Sequence, residues 1–324
     1  MKAWRAHQFG PYNDVLQFEE CPDPTAPRGG VVIDVHAAAL NFPDILAIAG
    51  QYQVKAPLPF VPGIEACGVV TEAGEGSRFA VGDRVIANAL WGAFGQKMEA
   101  PDMSCFAAPA GMSDAAAAGF VVTYQTSYFA LEYRARLQPG EVLLVHGGAG
   151  GVGTSCIQIG KAMGATVIAT AGSEEKLQVC RDCGADHVIN YRDDDFVAAV
   201  KRITGGRGAD VIYDPVGGDV FSRSTKCIAF GGRILVIGFT SGTIPELRTN
   251  RILIKNMSVI GLFWGAYQLH QPQLIHDTHE ILTGMYAESK IEPVICQTRP
   301  LAQLPAALDL ISERKSYGKV VVAG

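Results

Sequence analysis

"VLLVHGGAGGVG", residues 142–153, decides the fold. Val142 to Val145 read as a buried strand, and the glycines after them end it. Gly148, Gly150 and Gly153 satisfy G-x-G-x-x-G at the start of a helix, "GVGTSCIQIGKAMGA". The first glycine permits a tight turn, the second lets backbone approach a pyrophosphate, and the third lets helix and strand pack closely. Ala149, Gly151 and Val152 complete the loop. The helix N-terminus presents N–H groups and a partial positive charge to phosphates. Such a motif alone is a weak signal, but here the strand, the helix and a following strand, "TVIATAG", stand at the required distances. The segment reads as a dinucleotide site.

Working outward, the same texture continues. "SEEKLQVCRDCGA", "DDDFVAAVKRITGG" and a stretch from about Asp219 to Ala229 read as helices. "DHVINY", "ADVIYDPVGG", "GGRILVIGF" and "NMSVIGLFWG" read as strands. That alternation predicts an α/β, doubly wound parallel sheet. Before it, the first ~120 residues are short strands between Gly and Pro, including "VVIDVHAAAL" and "EACGVVTEAG", the pattern of a rolled β domain. "SDAAAAGFVVTYQTSYFALEYRA" predicts a helix with Ser113 as its N-cap. The last ~60 residues hold two helices and the strand "GKVVVAG".

About twenty residues past the glycine loop, an NAD site carries a carboxylate for the adenine ribose. Here that position falls near Ala171, in "ATAGSEEK". Ala171 and Gly172 leave space for a 2′-phosphate, Ser173 offers a hydroxyl, Lys176 a charge, and Tyr191 a hydroxyl from the next strand end. NADPH is the expected cofactor. Glu174 and Glu175 are the complication; the expectation is that they sit in the first turn of the next helix and face solvent.

Composition excludes other classes. The chain has 324 residues, 48% hydrophobic and 18% charged, with a net charge of −5. No dense Lys/Arg block appears, so nucleic acid is not an expected partner. No apolar run approaches the ~20 residues a bilayer span needs, and the N-terminus lacks a signal-peptide pattern, so no membrane association and a cytoplasmic location are expected. Of eight cysteines only Cys180 and Cys183 form a CxxC, which reads as a helix end stopped by Gly184. His270, His276 and His279 read as solvated side chains of an exposed helix.

With "NFPD" at 41–44, "VPGIEACGVV" at 61–70, "VGDRV" at 81–85, "VTYQTSYFAL" at 122–131, "GADHVINYR" and "YDPVGG", the chain resembles the medium-chain dehydrogenase/reductase superfamily, in its zinc-independent quinone oxidoreductase branch. The resemblance implies a Rossmann domain, 122–262, inserted into a discontinuous GroES-like β-barrel catalytic domain, 1–121 and 263–324, with nicotinamide and substrate in the cleft between them. It places Thr126, Val216, Gly238, Phe239, Phe263 and Trp264 beside the cofactor and Lys319 near the pyrophosphate. For several of these the bland alternative is packing, and for Lys319 it is solvation. Positions that hold a catalytic Cys and His in zinc relatives match Asn41 and Ile64, so no metal is expected. Without a Lewis acid, the acceptor must already be electron-poor: a quinone or an α,β-unsaturated carbonyl. Asn41, Asp44 and Tyr52 are the polar groups expected at such a substrate. An enal, enone or enoyl-thioester reductase is the alternative activity, and a non-catalytic, crystallin-like NADPH-binding protein the alternative class. A homodimer is expected through an edge strand around "VIGLFWG".

Overall fold

The computed structural model describes residues 1–324, which divide into two units. The first comprises Met1–Val122, Gln271–Thr283 and Pro293–Gly324, the second Thr123–His270 and Gly284–Glu292. The expected boundaries at 121/122 and 262/263 are thus replaced by 122/123 and 270/271, and residues 284–292 join the second unit. Side-chain contacts explain the shift. The Tyr267 ring meets Phe129 edge-on at 4.8 Å, and the Glu292 N–H donates to Gln158 Oε1 at 2.9 Å.

In the first unit, β1 (Lys2–Ala6) and β2 (Leu16–Glu20) form an antiparallel pair. A larger sheet takes β3 (Gly30–Ala39), β4 (Glu65–Ala73), β5 (Arg84–Asn88), β6 (Lys97–Pro101) and β7 (Cys105–Ala107). It is completed by β14 (Ile295–Pro300) and β15 (Lys319–Ala323), in the order β14-β15-β3-β4-β5-β7, with β6 also on β3. Alternating inward residues such as Val31 and Ile33 bury a core with Phe94, Met98, Leu304 and Leu308. The final strand therefore lies inside the sheet, next to β3.

Two expectations for this region fail. The single helix predicted after Gly111 is broken: one helix covers Asp114–Ala118, a second Val121–Tyr128, and a π-helical stretch Phe129–Ala135. Gly119 caps the first piece, and a Cβ there would lie 3.0 Å from Lys319 Cγ, so the break makes room for that lysine stem. Ser113 does cap the first piece, accepting the Ala116 N–H. His279 is buried at 3% exposure, hydrogen-bonded to the Ala107 carbonyl at 2.9 Å and packed against Phe106. His276, on the same helix Pro272–Ala287, is half-buried against Phe106 with Nε2 3.2 Å from the Met103 carbonyl, so the solvated reading holds only for His270.

The second unit holds β8 (Val142–Val145), β9 (Thr166–Ala171), β10 (His187–Asn190), β11 (Ala209–Asp214), β12 (Ile228–Val236) and β13 (Ser258–Gly261). All pair in parallel in the order β10-β9-β8-β11-β12-β13. This is the dinucleotide-binding order, with its switch point between β8 and β11. Leu144, Ile168, Ile189, Ile212 and Ile234 form its core. The helix expected to reach Ala229 covers Gly218–Ser224, because β12 already begins at Ile228. Cys180 ends up buried within Glu174–Asp182, with Cys183 as the C-cap and Gly184 at φ +99° after it. No helix is long and apolar enough to cross a membrane.

Candidate functional site

Five loops of the second unit leave the carboxyl ends of its parallel strands, the edge at which such sheets bind ligands. β8 leads to the glycine loop, β9 to Gly172 and Ser173, and β11 to Val216. β12 leads to Gly238 and Phe239, and β13 to Phe263 and Trp264. These sequence-selected residues therefore share one edge.

The glycine loop is built as its spacing requires. The Gly148 N–H donates to the Thr170 carbonyl at 2.9 Å, and Gly150 is the N-cap of the helix Gly151–Ala162. A Cβ on Gly153 would lie 2.3 Å from the Gly147 oxygen and 2.7 Å from that of Gly148, so helix and loop touch backbone to backbone. Around Gly150 a Cβ would meet only the Gly147 oxygen, at 3.3 Å, which leaves that side open to a ligand. Ala149 is buried, Gly150 exposed and Gly151 half-buried, while the Val152 carbonyl accepts a hydrogen bond from Ser127 Oγ at 3.1 Å. That bond fixes the helix bearing Thr126 against the loop.

The end of β9 carries the residues expected at the adenine ribose. A Cβ on Gly172 would stand 2.5 Å from the Tyr191 hydroxyl, so glycine here admits that hydroxyl over the strand end. Ser173 caps the next helix, accepting the Lys176 N–H at 3.4 Å. Glu174 and Glu175 occupy the first helical turn, and Glu174 is turned away to Arg181 in an exposed ion pair at 2.6 Å.

At the end of β11, Asp214 Oδ1 accepts the N–H groups of Val216, at 2.8 Å, and Gly217, at 3.0 Å. Its Oδ2 is buried without a partner, and burial pushes its pKa up. Phe239 lies close over Gly217, Phe263 is half exposed, and Trp264 is buried with an unpartnered Nε1.

The first unit gathers Asn41, Asp44 and Lys319, and adds a residue that sequence reasoning missed. Glu65, at the start of β4, is fully buried and pairs with Lys319 Nζ at 2.7 Å. Lys319 Nζ also donates to Asn41 Oδ1 at 2.6 Å, and Asn41 Nδ2 donates to Glu65 Oε1 at 3.0 Å. The Val122 N–H donates to Glu65 Oε2 at 3.1 Å. Lys319 is 5% exposed, so the solvated alternative is overturned. The signal for Glu65 was present: a carboxylate opening the apolar run "EACGVV" needs a buried cation.

Asp44 is the N3 residue of the helix Phe42–Ile48 and accepts the Asn41 N–H at 2.7 Å. Burial pushes its pKa up to about 7, with the Asn41 N–H and the Lys319 charge opposing and the Glu65 charge assisting. Folded Asp44 thus keeps its proton to about pH 7, whereas unfolded it loses it near pH 4. The folded chain binds more protons within that window, so stability should fall by roughly 4 kcal/mol as pH rises across it. Thermal melting should show that slope in the wild type and lose it in Asp44→Asn.

Tyr52 lies past this helix in the wall of a small apolar pocket with Pro43, Ala47, Ile64 and Trp91. Burial, and then the Asp44 charge, raise its pKa. Ile64 carries no donor atom, and the Asn41 amide is occupied by Lys319 and Glu65, so neither fits a zinc ligand set. No three His, Cys, Asp or Glu side chains gather where they could share a metal ion.

Known proteins share both units. Residues 27–133 match the alcohol dehydrogenase GroES-like domain family and 151–280 the zinc-binding dehydrogenase family. A quinone oxidoreductase-like protein 2 homolog from Nematostella vectensis is 38% identical over 296 residues, covering 90% of this chain and 81% of its own. The structure of Escherichia coli quinone oxidoreductase complexed with NADPH superposes with a TM-score of 0.92 at 28% identity, covering 100% of both chains. That of the CurK enoyl reductase superposes with a TM-score of 0.89 at 28% identity, covering 99% of this chain and 98% of its own. The chain belongs to the medium-chain dehydrogenase/reductase superfamily, in its quinone oxidoreductase branch.

Proposed function

We propose that this protein is an NADPH-dependent reductase that delivers hydride to quinones or related α,β-unsaturated carbonyls without zinc. The observation that carries the acceptor class is the residue pair at the would-be metal positions. Asn41 is engaged with Lys319 and Glu65, and Ile64 has nothing to donate. A carbonyl left without a Lewis acid must be activated by its own conjugation. When bound, NADPH supplies the hydride.

The chain's own residues do the rest. The backbone of Gly148, Ala149, Gly150, Gly151, Val152 and Gly153, with the helix behind it, takes the pyrophosphate. Ser173, Lys176 and Tyr191 take the 2′-phosphate. Thr126, Val216, Gly238, Phe239, Phe263 and Trp264 line the nicotinamide end. Tyr52 is the group that meets the oxygen on which charge develops. The ammonium of Lys319 is held by Asn41 and Glu65, and through them it positions the polypeptide around Tyr52 and Asp44.

Stopped-flow oxidation of bound NADPH should proceed with simple quinones and be insensitive to chelators. Tight NADPH binding with no turnover of quinones, 2-alkenals or an enoyl-CoA removes the enzyme reading. The likeness to an enoyl reductase favours the enoyl-CoA arm as the second reading. Lys176→Ala should weaken NADPH binding at least ~10-fold while leaving NADH within ~2-fold, because only one of the two carries the extra phosphate. Equal losses, measured by titration of nicotinamide fluorescence, would sink the phosphate assignment.

A cytoplasmic homodimer completes the reading. β13 is an edge strand, and Val259 on it is exposed, as are Leu253 and Ile254 in the preceding helix. An open apolar edge favours pairing with a second copy. Sedimentation velocity showing only monomer at micromolar concentration would reject it.

A further inference from the structure

Reduction by hydride leaves one acceptor oxygen as an anion, which must receive a proton. We propose that Asp44 is the proton reservoir for this step, a positioning residue that reloads the Tyr52 hydroxyl after each transfer. The inference rests on the function proposed above.

Charge counting inside the first unit carries it. Two carboxyl groups, Asp44 and Glu65, are fully buried, and one cation, Lys319, accompanies them. Glu65 takes the ion pair, the Asn41 amide and the Val122 N–H. Asp44 receives a single full hydrogen bond, from the Asn41 N–H to Oδ2. Its Oδ1 is buried with no partner of normal geometry, although the Ile64 N–H is near enough to lower its pKa. Ionising both carboxyls would leave one buried negative charge unanswered, so the stable form is neutral Asp44 beside the Glu65–Lys319 pair. A neutral carboxyl with an unused oxygen is a proton donor waiting for an acceptor.

The acceptor is Tyr52. Its ring shares a pocket wall with Pro43 and Ala47, which flank Asp44 along its helix, and with Ile64. Burial first, and then the Asp44 carboxylate when ionised, hold the Tyr52 hydroxyl above its ordinary pKa, so the phenolate left by a transfer is a strong proton acceptor. No hydrogen bond joins the two in the resting chain, so a water or a rotation of the ring must close the relay.

The steps balance. Bound NADPH would supply the two electrons as hydride, leaving as NADP⁺. The Tyr52 O–H bond breaks as the acceptor O–H bond forms. The Asp44 O–H bond then breaks as the Tyr52 O–H bond reforms, and the carboxylate recovers its proton from water after product leaves. Transfer from a carboxyl near 7 to a phenolate whose acid form lies above 10 runs downhill. The groups that tune Asp44 are Lys319 from β15, Glu65 from β4 and Tyr52 beyond its own helix.

The test compares wild type, Asp44→Asn and Tyr52→Phe in multiple-turnover oxidation of NADPH by the fastest of the quinone, 2-alkenal and enoyl-CoA acceptors, across pH. Wild-type rates should fall ~10-fold per unit above about pH 7. Asp44→Asn retains the capping acceptor, should be at least ~10-fold slower, and should lose that limb while its NADPH affinity changes less than ~2-fold. Infrared spectra should show a protonated carboxyl band near pH 6 that is absent in Asp44→Asn and fades in wild type by about pH 9. If Asp44→Asn keeps the wild-type rate and profile, or if the band is missing at low pH, the relay is overturned while the reductase reading stands. If wild type turns over no acceptor, the reductase reading fails and the relay with it. Misfolding of Asp44→Asn would show in circular dichroism, and the infrared band of the wild type then decides.

Discussion

Gly153→Ala should lose at least ~100-fold in NADPH affinity, about 2.7 kcal/mol. The added carbon would stand 2.3 Å from the Gly147 carbonyl oxygen and 2.7 Å from that of Gly148. Both are backbone atoms in a turn whose glycine at 147 has φ +59°, so neither can swing aside as a side chain would. The helix Gly151–Ala162 must retreat from the loop, and its N–H groups leave the position from which they face a pyrophosphate. Overpacking of this kind also costs about 1–3 kcal/mol of stability. Gly150→Ala provides the contrast: its nearest obstacle is at 3.3 Å, so the unit should keep its melting temperature and still bind poorly, because the methyl group occupies the ligand's face. Fluorescence titration beside thermal melting separates the two. Wild-type affinity in Gly153→Ala would refute the assignment of the loop.

Lys319→Met should be the most destabilising single change in the first unit, by about 3–5 kcal/mol. Removing the ammonium strands the Glu65 carboxylate at 0% exposure and leaves the Asn41 carbonyl oxygen without its 2.6 Å donor. The methionine chain fills the space beside Gly119 that the lysine stem occupies. The loss therefore reports charge rather than a cavity. Adding Glu65→Gln should recover at least about half of it, since the neutral amide oxygen still accepts the Val122 N–H and its NH2 can donate to Asn41 Oδ1 once that amide flips, the oxygen having lost its lysine donor. A loss below about 1 kcal/mol in the single variant, read from thermal and urea melting, would show that water or another group answers Glu65.

What could be read from sequence divides along physical lines. The second unit was legible because its rules are local: apolar strands alternate with amphipathic helices, and the glycine spacing states its own geometry. The parallel pairing of its sheet and the solvent-facing Glu174 follow from those rules. The helix after Gly111 was overextended because its break answers a lysine two hundred residues later, not a local signal beyond Gly119 itself. The burial of His279 is hidden for a similar reason: an amphipathic helix shows that one face is buried, but not that a histidine lies on it opposite the Ala107 carbonyl. The first unit's polar cluster was least legible. Lys319 meets Glu65 across 254 residues of sequence and Asn41 across 278. No window of sequence contains both halves of such a pair. "NFPD" marks Asn41 and Asp44, and "GQYQ" marks Tyr52, whereas Glu65 stands at the head of an apolar strand with its cation far off in sequence.

The placement of β15 inside the sheet of the first unit bears on how the chain is made. All six strands of the second unit and its last segment, which ends at Glu292, precede β15 in sequence, so the second unit can begin to fold before β15 is made. β3 has no such option on its β15 side, because Val321 must pair with Ala39 and Val322 with Ala38. Until Lys319–Ala323 has left the ribosome, that ladder edge stays open, and Glu65 and Asn41 wait without their cation. A newly made chain thus passes through a state with one finished unit and one adhesive strand edge, the condition in which chaperone capture or aggregation competes with folding. The last five residues of the sheet are the ones that end it.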